Sequence, residues 1–354
     1  MAPTRIAVIG GGMIGVKHID VLVPGTKDYA LCAIADPAPM GADIARQRGV
    51  PHYADYGQML DKEKPAGVVI AVPNQLHVEV GLACVERKIP MIMEKPIADS
   101  IASAWKLVRA AQHAEVPLLV GHHRRYNPIM RKAAEIIHGG GVGKVVAASA
   151  FWLGHKPDDY FSIDWRRQLG AGPVLINSIH DIDCLRMMCG EIESVRAQSS
   201  SSVRGFPVED TAAAVLTFKS GALGTLIVSD TASSPWTWEW TARENPAYPH
   251  EWENSFFIAG TKGSLAVPSL EHRWHEPGRE GWFTPLTQQR IPLKQADPYY
   301  EQMRHFSAVI AGKETPIMSG EEGTRTLATT LAINESARTG NAVLVDDILK
   351  RADA

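Results

Sequence analysis

The first third of the chain alternates short apolar runs with segments of helical periodicity. The apolar runs lie at residues 5–10, 29–36, 67–73, 89–96 and 116–123. Within each run the hydrophobic residues are continuous, which is typical of strands buried on both faces of a parallel sheet. The helical segments between the runs supply the crossovers that parallel strands require. We therefore predict an α/β fold that begins with a Rossmann domain, a doubly wound parallel sheet, over residues 1–122.

A different pattern follows this predicted domain. We expect a helix near 128–138, strands at about 143–153, 193–203, 208–219 and 222–231, a helix at 173–189, and final helices at 298–312 and 320–338. The Ser220–Gly221 pair between the last two of these strands is typical of a hairpin turn. Residues 123–354 are thus predicted to form one α+β domain with a mostly antiparallel, open sheet that binds substrate and mediates oligomerisation.

Length and charge restrict the class of protein further. A chain of 354 residues is long for one hydrophobic core, so two domains are expected. Lys and Arg (36) nearly balance Asp and Glu (39), which gives no electrostatic reason to expect nucleic acid or an anionic membrane as a partner.

No apolar run approaches the roughly 20 residues that span a bilayer, and the N-terminus lacks a signal-peptide pattern. Four cysteines without a C-x-x-C pair suit a reducing compartment, so a cytoplasmic location is expected.

A glycine-rich turn follows the first predicted strand. The sequence "GGGMIG" at residues 10–15 satisfies G-x-G-x-x-G between a strand and a helix, the context that this motif requires. Gly10 permits the tight turn, Gly12 lets the backbone approach a pyrophosphate, and Gly15 lets the helix pack closely on the strand. Met13 and Ile14 then open the helix, whose free N–H groups and dipole favour phosphate. A dinucleotide site is predicted; a glycine-rich turn without ligand is the alternative.

The kind of dinucleotide is indicated by Asp36, which ends the second predicted strand 21 residues beyond Gly15. A carboxylate at this place accepts hydrogen bonds from the adenosine ribose hydroxyls and repels a 2′-phosphate. Pro37 follows, where an NADP enzyme more often has Ser or Arg. We therefore expect NAD as the cofactor, with NADP less favoured.

Four motifs together resemble one known family. They are "VIGGGMIG" at residues 8–15, "AVPNQLH" at 71–77, "EKP" at 94–96 and "GAGPVLINSIHDIDCLRMMCG" at 170–190. In this combination the chain resembles, over nearly its whole length, the glucose–fructose oxidoreductase / inositol dehydrogenase (Gfo/Idh/MocA) family of NAD(P)-dependent oxidoreductases. The resemblance implies an NAD-dependent dehydrogenase that oxidises a secondary hydroxyl of a sugar, sugar acid, cyclitol or glycoside by hydride transfer to nicotinamide.

The resemblance also implies roles for individual residues. Lys95 would hydrogen-bond the reacting oxygen, and Glu94 would lie near the nicotinamide ribose; a surface ion pair is the alternative for these two residues. His180 would take the proton of the substrate hydroxyl, which suits an imidazole because its usual pKa, about 6.5, lies close to working pH. The bond before Pro96 is expected to be cis.

One position departs from the family pattern. Many relatives have an aspartate four residues before the histidine, where this chain has Ile176. Asn177, three residues before His180, and Asp183, three after it, share its helical face. Asn177 can bond a hydroxyl but cannot take a proton, and Asp183 either fixes the His180 tautomer or is structural. The usual Lys/Asp/His arrangement is therefore in doubt.

Further candidates surround these residues. Pro73, Asn74 and His77 belong to a loop that runs past the nicotinamide ribose in relatives, although a capping Asn and a packed His are equally reasonable. Candidates for substrate binding are Arg124, Arg125, Tyr126, Lys156, Asp164, Trp165 and Arg166. Either Arg124 or Arg125 binds a carboxylate or forms a domain-linking salt bridge. Mixed aromatic and charged groups at 156–168 suit a polyhydroxylated ring.

The segment 234–254 contains four tryptophans, Trp236, Trp238, Trp240 and Trp252. Such a segment closes over a sugar as a lid, or forms an oligomer contact, since aromatic residues are enriched in interface cores. We favour the interface, and expect a homodimer or homotetramer built through the C-terminal sheet. No metal site is expected, because His122 and His123 are adjacent and no Cys/His cluster is present.

Three alternatives remain open for the function. The first is an NAD-dependent glycosidase that uses transient oxidation at C3 of a sugar. The second is a dehydrogenase or reductase of a non-sugar substrate, such as a dihydrodiol or an imine. The third is a non-catalytic NAD-sensing regulator, which the presence of both Lys95 and His180 disfavours.

Overall fold

The computed structural model of the chain describes residues 2–353. Its first part contains strands β1 (Thr4–Ile9), β2 (Tyr29–Ala35), β3 (His52–Tyr53), β4 (Gly67–Ile70), β5 (Met91–Met93) and β6 (Leu118–Val120), with helices α1 (Met13–Leu22), α2 (Pro39–Arg48), α3 (Tyr56–Glu63), α4 (His77–Glu86) and α5 (Ile101–His113). The six strands form one parallel sheet in the order β3-β2-β1-β4-β5-β6. This is the strand order of the doubly wound dinucleotide-binding fold, so the predicted Rossmann domain is confirmed.

The central strands of this sheet are buried on both faces. Ile6 and Val8 on β1, Val69 on β4 and Ile92 on β5 all belong to one hydrophobic core. Continuous apolar runs are the sequence pattern of such strands, which is why the runs predicted them. Strand β3 was not predicted, because its two residues are too few to carry a pattern.

The middle of the chain contains helices α6 (Pro128–His138), α7 (Ile179–Cys189) and α8 (Trp238–Thr241), with strands β7 (Val145–Leu153), β8 (Ile192–Ser200), β9 (Thr211–Phe218), β10 (Leu223–Ser229), β11 (Phe256–Gly260), β12 (Gly263–Val267), β13 (Glu271–Trp274) and β14 (Thr287–Arg290). The last part contains α9 (Pro298–Ile310), α10 (Gly320–Thr339), β15 (Val343–Leu344) and α11 (Val345–Leu349). The predicted helix at 173–189 divides into a π-helical turn, Val174–Ser178, and α7.

The second sheet has nine strands in the order β14-β13-β12-β11-β7-β10-β9-β8-β15. Its neighbouring pairs are antiparallel except for β7 and β10, which are parallel. The mostly antiparallel sheet is therefore confirmed, with one parallel pair in place of the antiparallel neighbour expected for β7. Strands β11 to β15 were not predicted, and they widen the sheet on both sides.

The chain divides into two compact units. The first unit comprises residues 2–126, Asp297–Leu327 and 350–353, and the second comprises Asn127–Ala296 and Ala328–Leu349. Within the first unit, α9 contributes Tyr299, Met303 and Phe306 to the core beside β1. The assignment of residues 1–122 to cofactor binding, and of 123–354 to substrate binding and oligomerisation, stays a prediction.

Capping side chains begin several helices at the places where the chain leaves a strand or loop. Asp55 accepts a hydrogen bond from the N–H of Gln58 at the start of α3, and Ser100 does the same for Ser103 at α5. Asn127 caps α6 directly ahead of a proline. Such caps satisfy the N–H groups that have no partner in the first turn. Among the helices that the structure describes, none is long and apolar enough to cross a membrane.

Candidate active site

Two positions in and after the loop that follows β1 have no room for a side chain, and both are glycine. Gly10 has φ +103°, a backbone conformation that favours glycine, and its N–H donates to the carbonyl of Ala35 at 2.8 Å. A Cβ on Gly10 would collide with the carbonyl oxygen of Ala71, and a Cβ on Gly15 would collide with the carbonyl oxygen of Gly10. These two positions therefore allow β1, β4 and α1 to lie close together.

Gly12 is a different case. It is the N-cap residue of α1 and offers no capping side chain, and a Cβ built on it meets nothing within 4 Å. Its absent side chain thus keeps space open in front of the first turn of α1. An uncapped helix N-terminus presents N–H donors and the positive end of the helix dipole, a suitable place for a phosphate group.

A cavity of about 650 Å³ lies at the carboxyl ends of β1, β2 and β4. This is the switch point of the doubly wound sheet, where such folds bind their ligands. Its lining residues include Gly10, Gly12, Asp36, Tyr56, Val72 and Pro73. The cavity places the glycine loop and Asp36 together, as the sequence predicted for a dinucleotide.

The carboxylate of Asp36 is fixed by backbone donors. Its Oδ2 accepts the N–H of Gly11 at 2.5 Å, and its Oδ1 accepts the N–H of Ala38 at 2.7 Å. A Cβ on Gly41 would approach the Cβ of Asp36 to 2.5 Å, so the glycine makes room for this side chain. Each carboxylate oxygen can accept a further hydrogen bond, so both remain available to a vicinal diol such as a ribose.

The buried side chain of His77 holds the loop after β4 in place. Pro73 is exposed, and Asn74 begins a short 3-10 turn, Asn74–Leu76. The buried His77 ring lies between two carbonyl oxygens, with Nδ1 2.8 Å from that of Pro96 and Nε2 3.0 Å from that of Val72. Burial lowers the pKa of His77, and these backbone hydrogen bonds oppose the shift. His77 therefore links two loops, while Pro73 and Asn74 lie on their accessible side.

The residues Glu94 and Lys95 follow β5 at the same edge of the sheet. Glu94 is only 4 % exposed, and its Oε1 lies 2.7 Å from Nε2 of His18 on α1. Its Oε2 accepts the backbone N–H of Lys95 at 3.1 Å. A Cβ on Gly121 would approach Glu94 Oε1 to 2.7 Å, so that glycine accommodates the carboxylate. Lys95 is half-buried, and the Lys95–Pro96 bond is cis, as expected.

The electrostatics of Glu94 follow from these neighbours. Burial raises the pKa of its carboxyl, but the hydrogen bond from His18 and the charges of His18, Lys95 and His123 outweigh burial, so the net pKa is lowered. The partnership with His18 was missed from the sequence. A signal existed, because His18 lies on the apolar face of α1 together with Gly15, Ile19 and Leu22.

The segment after β6 forms a 3-10 turn, His123–Tyr126, in which Arg124, Arg125 and Tyr126 are buried. A nitrogen of Arg125 lies 3.3 Å from a carboxylate oxygen of Glu322 on α10. The ring of Tyr126 packs against that of His305, with centroids 5.4 Å apart. Arg125 thus forms an ion pair within the first unit, rather than the domain-linking salt bridge that was one of its two interpretations.

The predicted catalytic histidine lies at the start of α7 in the second unit. His180 and Asp183 are both buried, whereas Ile176 and Asn177 are half-buried in the π turn before the helix. Asn177 Oδ1 is inaccessible to solvent and has no hydrogen-bond partner within residues 2–353. A π turn inside a helix is often found at a functional site, and here it separates Asn177 from the regular helix that carries His180.

Two of the four candidates in residues 156–168 come together around Tyr160. The Nζ of Lys156 lies 5.0 Å from the Tyr160 ring centroid, and the guanidinium of Arg166 lies 4.1 Å from it. Asp164, by contrast, is exposed and pairs with Arg167, and Trp165 is also exposed. The Arg166 guanidinium also lies 5.7 Å from the Trp165 ring centroid, so of the four candidates Asp164 alone is turned to a different partner.

A further carboxyl group, that of Glu209, was not predicted. Its Oε1 accepts the N–H of Val174 at 3.2 Å, at the first residue of the π turn. A Cβ on Gly172 would collide with this carboxylate. Burial raises the pKa of Glu209, with weaker opposing contributions from backbone hydrogen bonds. Because Glu209 lies on a loop between strands, no periodicity in the sequence indicates it.

The strand order, the open helix N-terminus and the paired acceptors of Asp36 define a dinucleotide-binding protein of the Rossmann class. Residues 4–122 match the oxidoreductase family with an NAD-binding Rossmann fold, and residues 130–266 match the GFO/IDH/MocA C-terminal domain. The chain belongs to the GFO/IDH/MocA family of oxidoreductases, as the motifs indicated. The predictions of an NAD-binding domain and of an enzyme of the oxidoreductase class are confirmed.

Individual proteins similar to this chain span its whole length. It is 25 % identical over 349 residues to the 1,5-anhydro-D-fructose reductase of Ensifer adhaerens, covering 97 % of this chain and 98 % of the relative. It is 26 % identical over 362 residues to the myo-inositol 2-dehydrogenase of Thermotoga maritima, covering 98 % and 99 %. An oxidoreductase from Agrobacterium radiobacter, solved with NAD+, L-tartaric acid and magnesium, has the same fold, with a TM-score of 0.81 at 20 % identity and coverage of 98 % and 100 %.

Proposed function

We propose that the protein is an NAD-dependent dehydrogenase that oxidises a secondary hydroxyl of a sugar, sugar acid, cyclitol or glycoside. The observation that carries this proposal is the position of Lys95, which follows β5 at the edge of the sheet where Gly10 and Ala71 border the cofactor cavity. A cation at that edge lies where doubly wound folds bind their ligands. The activities named for the relatives, on an anhydro-sugar and on an inositol, support the substrate class.

The chemistry divides between two side chains. Lys95 donates a hydrogen bond to the substrate oxygen and stabilises the negative charge that develops on it. His180 accepts the hydroxyl proton, so that the substrate carbon becomes a carbonyl. NAD, when bound, supplies the hydride acceptor. The buried Asp183 holds the tautomer of His180 in this proposal.

The residues in and around the cavity indicate which side chains would contact the cofactor. The loop from Gly10 to Gly15 receives the pyrophosphate, with the N–H groups of Met13 and Ile14 as donors. Asp36 receives the adenosine ribose, which favours NAD over NADP. Pro73, Asn74 and Glu94 lie toward the nicotinamide end, and His77 supports their loop from behind.

Several polar side chains are proposed to bind the substrate. Asn177 bonds a substrate hydroxyl in place of the aspartate that Ile176 replaces, since the amide oxygen has no partner within the described residues. Lys156 and Arg166 bind oxygen atoms of the substrate beside Tyr160. Arg124, Arg125, Tyr126, Asp164 and Trp165 are weaker candidates, of which Arg125 is engaged by Glu322.

We further propose a homodimer or homotetramer assembled through the nine-stranded sheet. Phe257, Ser149, Thr225 and Val215 are paired in one row across β11, β7, β10 and β9, so they share a face of the sheet. Val215, Leu223 and Phe257 are half or nearly half exposed there. Exposed apolar patches of this kind mark interaction sites. The four cysteines are free thiols, in keeping with a cytoplasmic location.

A screen of NADH formation over inositols, aldoses, sugar acids and glycosides, with NAD and NADP side by side, tests the proposed function. Steady NADH production with NAD and at least one polyol is the expected result. Absence of turnover with every polyol would refute the substrate class. Product release without net NADH would instead indicate the glycosidase mechanism, in which NAD is reduced and reoxidised within one cycle.

A further inference from the structure

His18 and Glu94 form a buried pair that joins two parts of the first unit. His18 is 0 % exposed and Glu94 is 4 % exposed, and their Nε2 and Oε1 atoms are 2.7 Å apart. A hydrogen bond to a buried carboxylate is strong and hard to replace, because no water reaches the group if its partner is lost. The pair therefore restrains the orientation of the Glu94 carboxylate.

The second carboxylate oxygen of Glu94 bonds the backbone of Lys95. Its Oε2 accepts the backbone N–H of Lys95 at 3.1 Å. With Oε1 held by His18, the carboxylate plane is fixed, and Oε2 stays directed at the residue proposed to contact the substrate. A continuous set of hydrogen bonds thus runs from the side chain of His18 to the backbone of Lys95.

His18 lies on the same helix whose N-terminus faces the cofactor cavity. It occupies the sixth residue of α1, which begins at Met13 directly after Gly12. A helix is a rigid element, so the end that receives the pyrophosphate and the middle that holds Glu94 move together. Cofactor position and lysine position are therefore coupled through one helix.

The first turn of α9 keeps the His18 ring in place. The ring of Tyr299 meets His18 edge to face, with centroids 5.3 Å apart, and stacks on His123 at 4.5 Å. Asp297, which caps α9, lies 2.6 Å from Nζ of Lys17 on α1. Contacts with Tyr299 on α9 and with Glu94 after β5 thus leave the His18 ring little freedom to turn away from Glu94.

We infer that His18 is a positioning residue for Lys95: it links the cofactor helix to the lysine turn through Glu94. The inference rests on the proposed role of Lys95 in turnover. A misplacement of about 1 Å in a catalytic group can lower a rate by two orders of magnitude, so loss of this link affects kcat rather than cofactor affinity.

The test compares His18→Phe, which keeps a ring but has no donor, with His18→Gln, whose amide nitrogen can reach the carboxylate. We expect His18→Phe to lower kcat by about 10–100-fold while the Kd for NADH changes less than about threefold, and His18→Gln to recover most of the rate. Hydrogen exchange of the Lys95 amide in the NADH complex is expected to accelerate in His18→Phe alone. His18→Asn, whose amide is too short to reach Glu94, replaces the Phe variant if that variant does not fold.

Two control variants distinguish an error in the role of His18 from an error in the proposed role of Lys95. His272→Phe removes a histidine of the second unit whose Nε2 lies 2.9 Å from the Gly141 carbonyl, and it should leave kcat unchanged. Lys95→Met tests the proposed function directly. If Lys95→Met abolishes turnover while His18→Phe keeps wild-type kcat and slow Lys95 exchange, the inference about His18 is wrong. If Lys95→Met retains turnover, the role of Lys95 is wrong, and the exchange rate in His18→Phe still decides whether His18 holds the lysine backbone.

Discussion

The carboxylate of Asp36, which lines the cofactor cavity, accepts the N–H of Gly11 with a separation of 2.5 Å. The second oxygen is held by Ala38, so the side chain cannot swing aside. We propose that this fixed carboxylate receives the ribose hydroxyls and repels a 2′-phosphate, so that one rigid side chain decides the cofactor choice.

Replacing Asp36 with Ser should reverse this preference. We expect kcat/KM for NAD to fall by about 10–100-fold, since two hydrogen bonds to the ribose are lost, and kcat/KM for NADP to rise. Steady-state kinetics with both cofactors measure the change. Glu79→Gln removes a charge from the same cavity and should keep the preference for NAD. A Ser variant that still rejects NADP as strongly as wild type would contradict this account.

Alanine substitutions at two glycines of the cofactor loop should have different effects on stability and on NADH binding. Gly12→Ala should leave Tm within about 1–2 °C of wild type, because its methyl group meets no protein atom, yet weaken NADH binding by tenfold or more. Gly15→Ala should lower Tm by several degrees, because the methyl group collides with the Gly10 carbonyl. Thermal unfolding and NADH fluorescence titration distinguish the two effects. Unchanged NADH binding in Gly12→Ala would contradict the proposed pyrophosphate position.

Much of the first unit could be predicted because its determinants are local. Contiguous apolar residues form β1 and β2, and the glycine loop and Asp36 follow those strands directly. Strands β11 and β12 were missed because each has five residues, of which only some are buried. Short, half-exposed strands resemble loops in sequence.

The parts of the site that were missed depend on contacts distant in sequence. His18 and Glu94 are 76 residues apart, and Glu209 and Val174 are 35 residues apart. The apolar face of α1 indicates that His18 is buried, but nothing local says which residue becomes its partner after folding. Asp164 differs from these residues, because it is exposed and pairs with Arg167, which is only three residues away.

The half-buried carboxyl of Glu209 should make stability depend on pH. Its folded-state pKa is raised above the usual 4.5 by burial, so the ionised form is disfavoured in the fold. Stability from this group is complete below pH 4.5 and falls as pH rises through the folded pKa. Glu209→Gln should therefore raise Tm at pH 7 by about 1–3 °C, with a smaller gain near pH 4.5.

Thermal unfolding of wild type and Glu209→Gln across this pH range measures the difference. Glu193 is exposed on β8, so Glu193→Gln is the matched control and should have little effect. A Gln variant whose gain grows toward acid would contradict the direction of the Glu209 shift.

The exposed face of the nine-stranded sheet should carry the oligomer contact. Val215→Glu should convert the assembly to monomers, since a charge at the centre of an apolar interface has no partner. Light scattering after size-exclusion chromatography measures the mass. Phe283→Glu changes a fully exposed aromatic residue outside the sheet and should leave the mass unchanged. A Val215→Glu variant that keeps the wild-type mass would exclude this face as the interface.

In the proposed mechanism, Lys95 and His180 carry out the proton and charge chemistry of one dehydrogenation. The most direct measurement is kcat for NADH formation, with the best polyol from the screen, in wild type, Lys95→Met and His180→Asn, with Lys106→Met as a control on the exposed part of α5. We predict that kcat falls by about 10²–10⁴-fold in each of the two site variants, that the Kd for NADH changes less than about threefold, and that the control keeps wild-type activity. A kcat within about tenfold of wild type in either site variant would contradict the account.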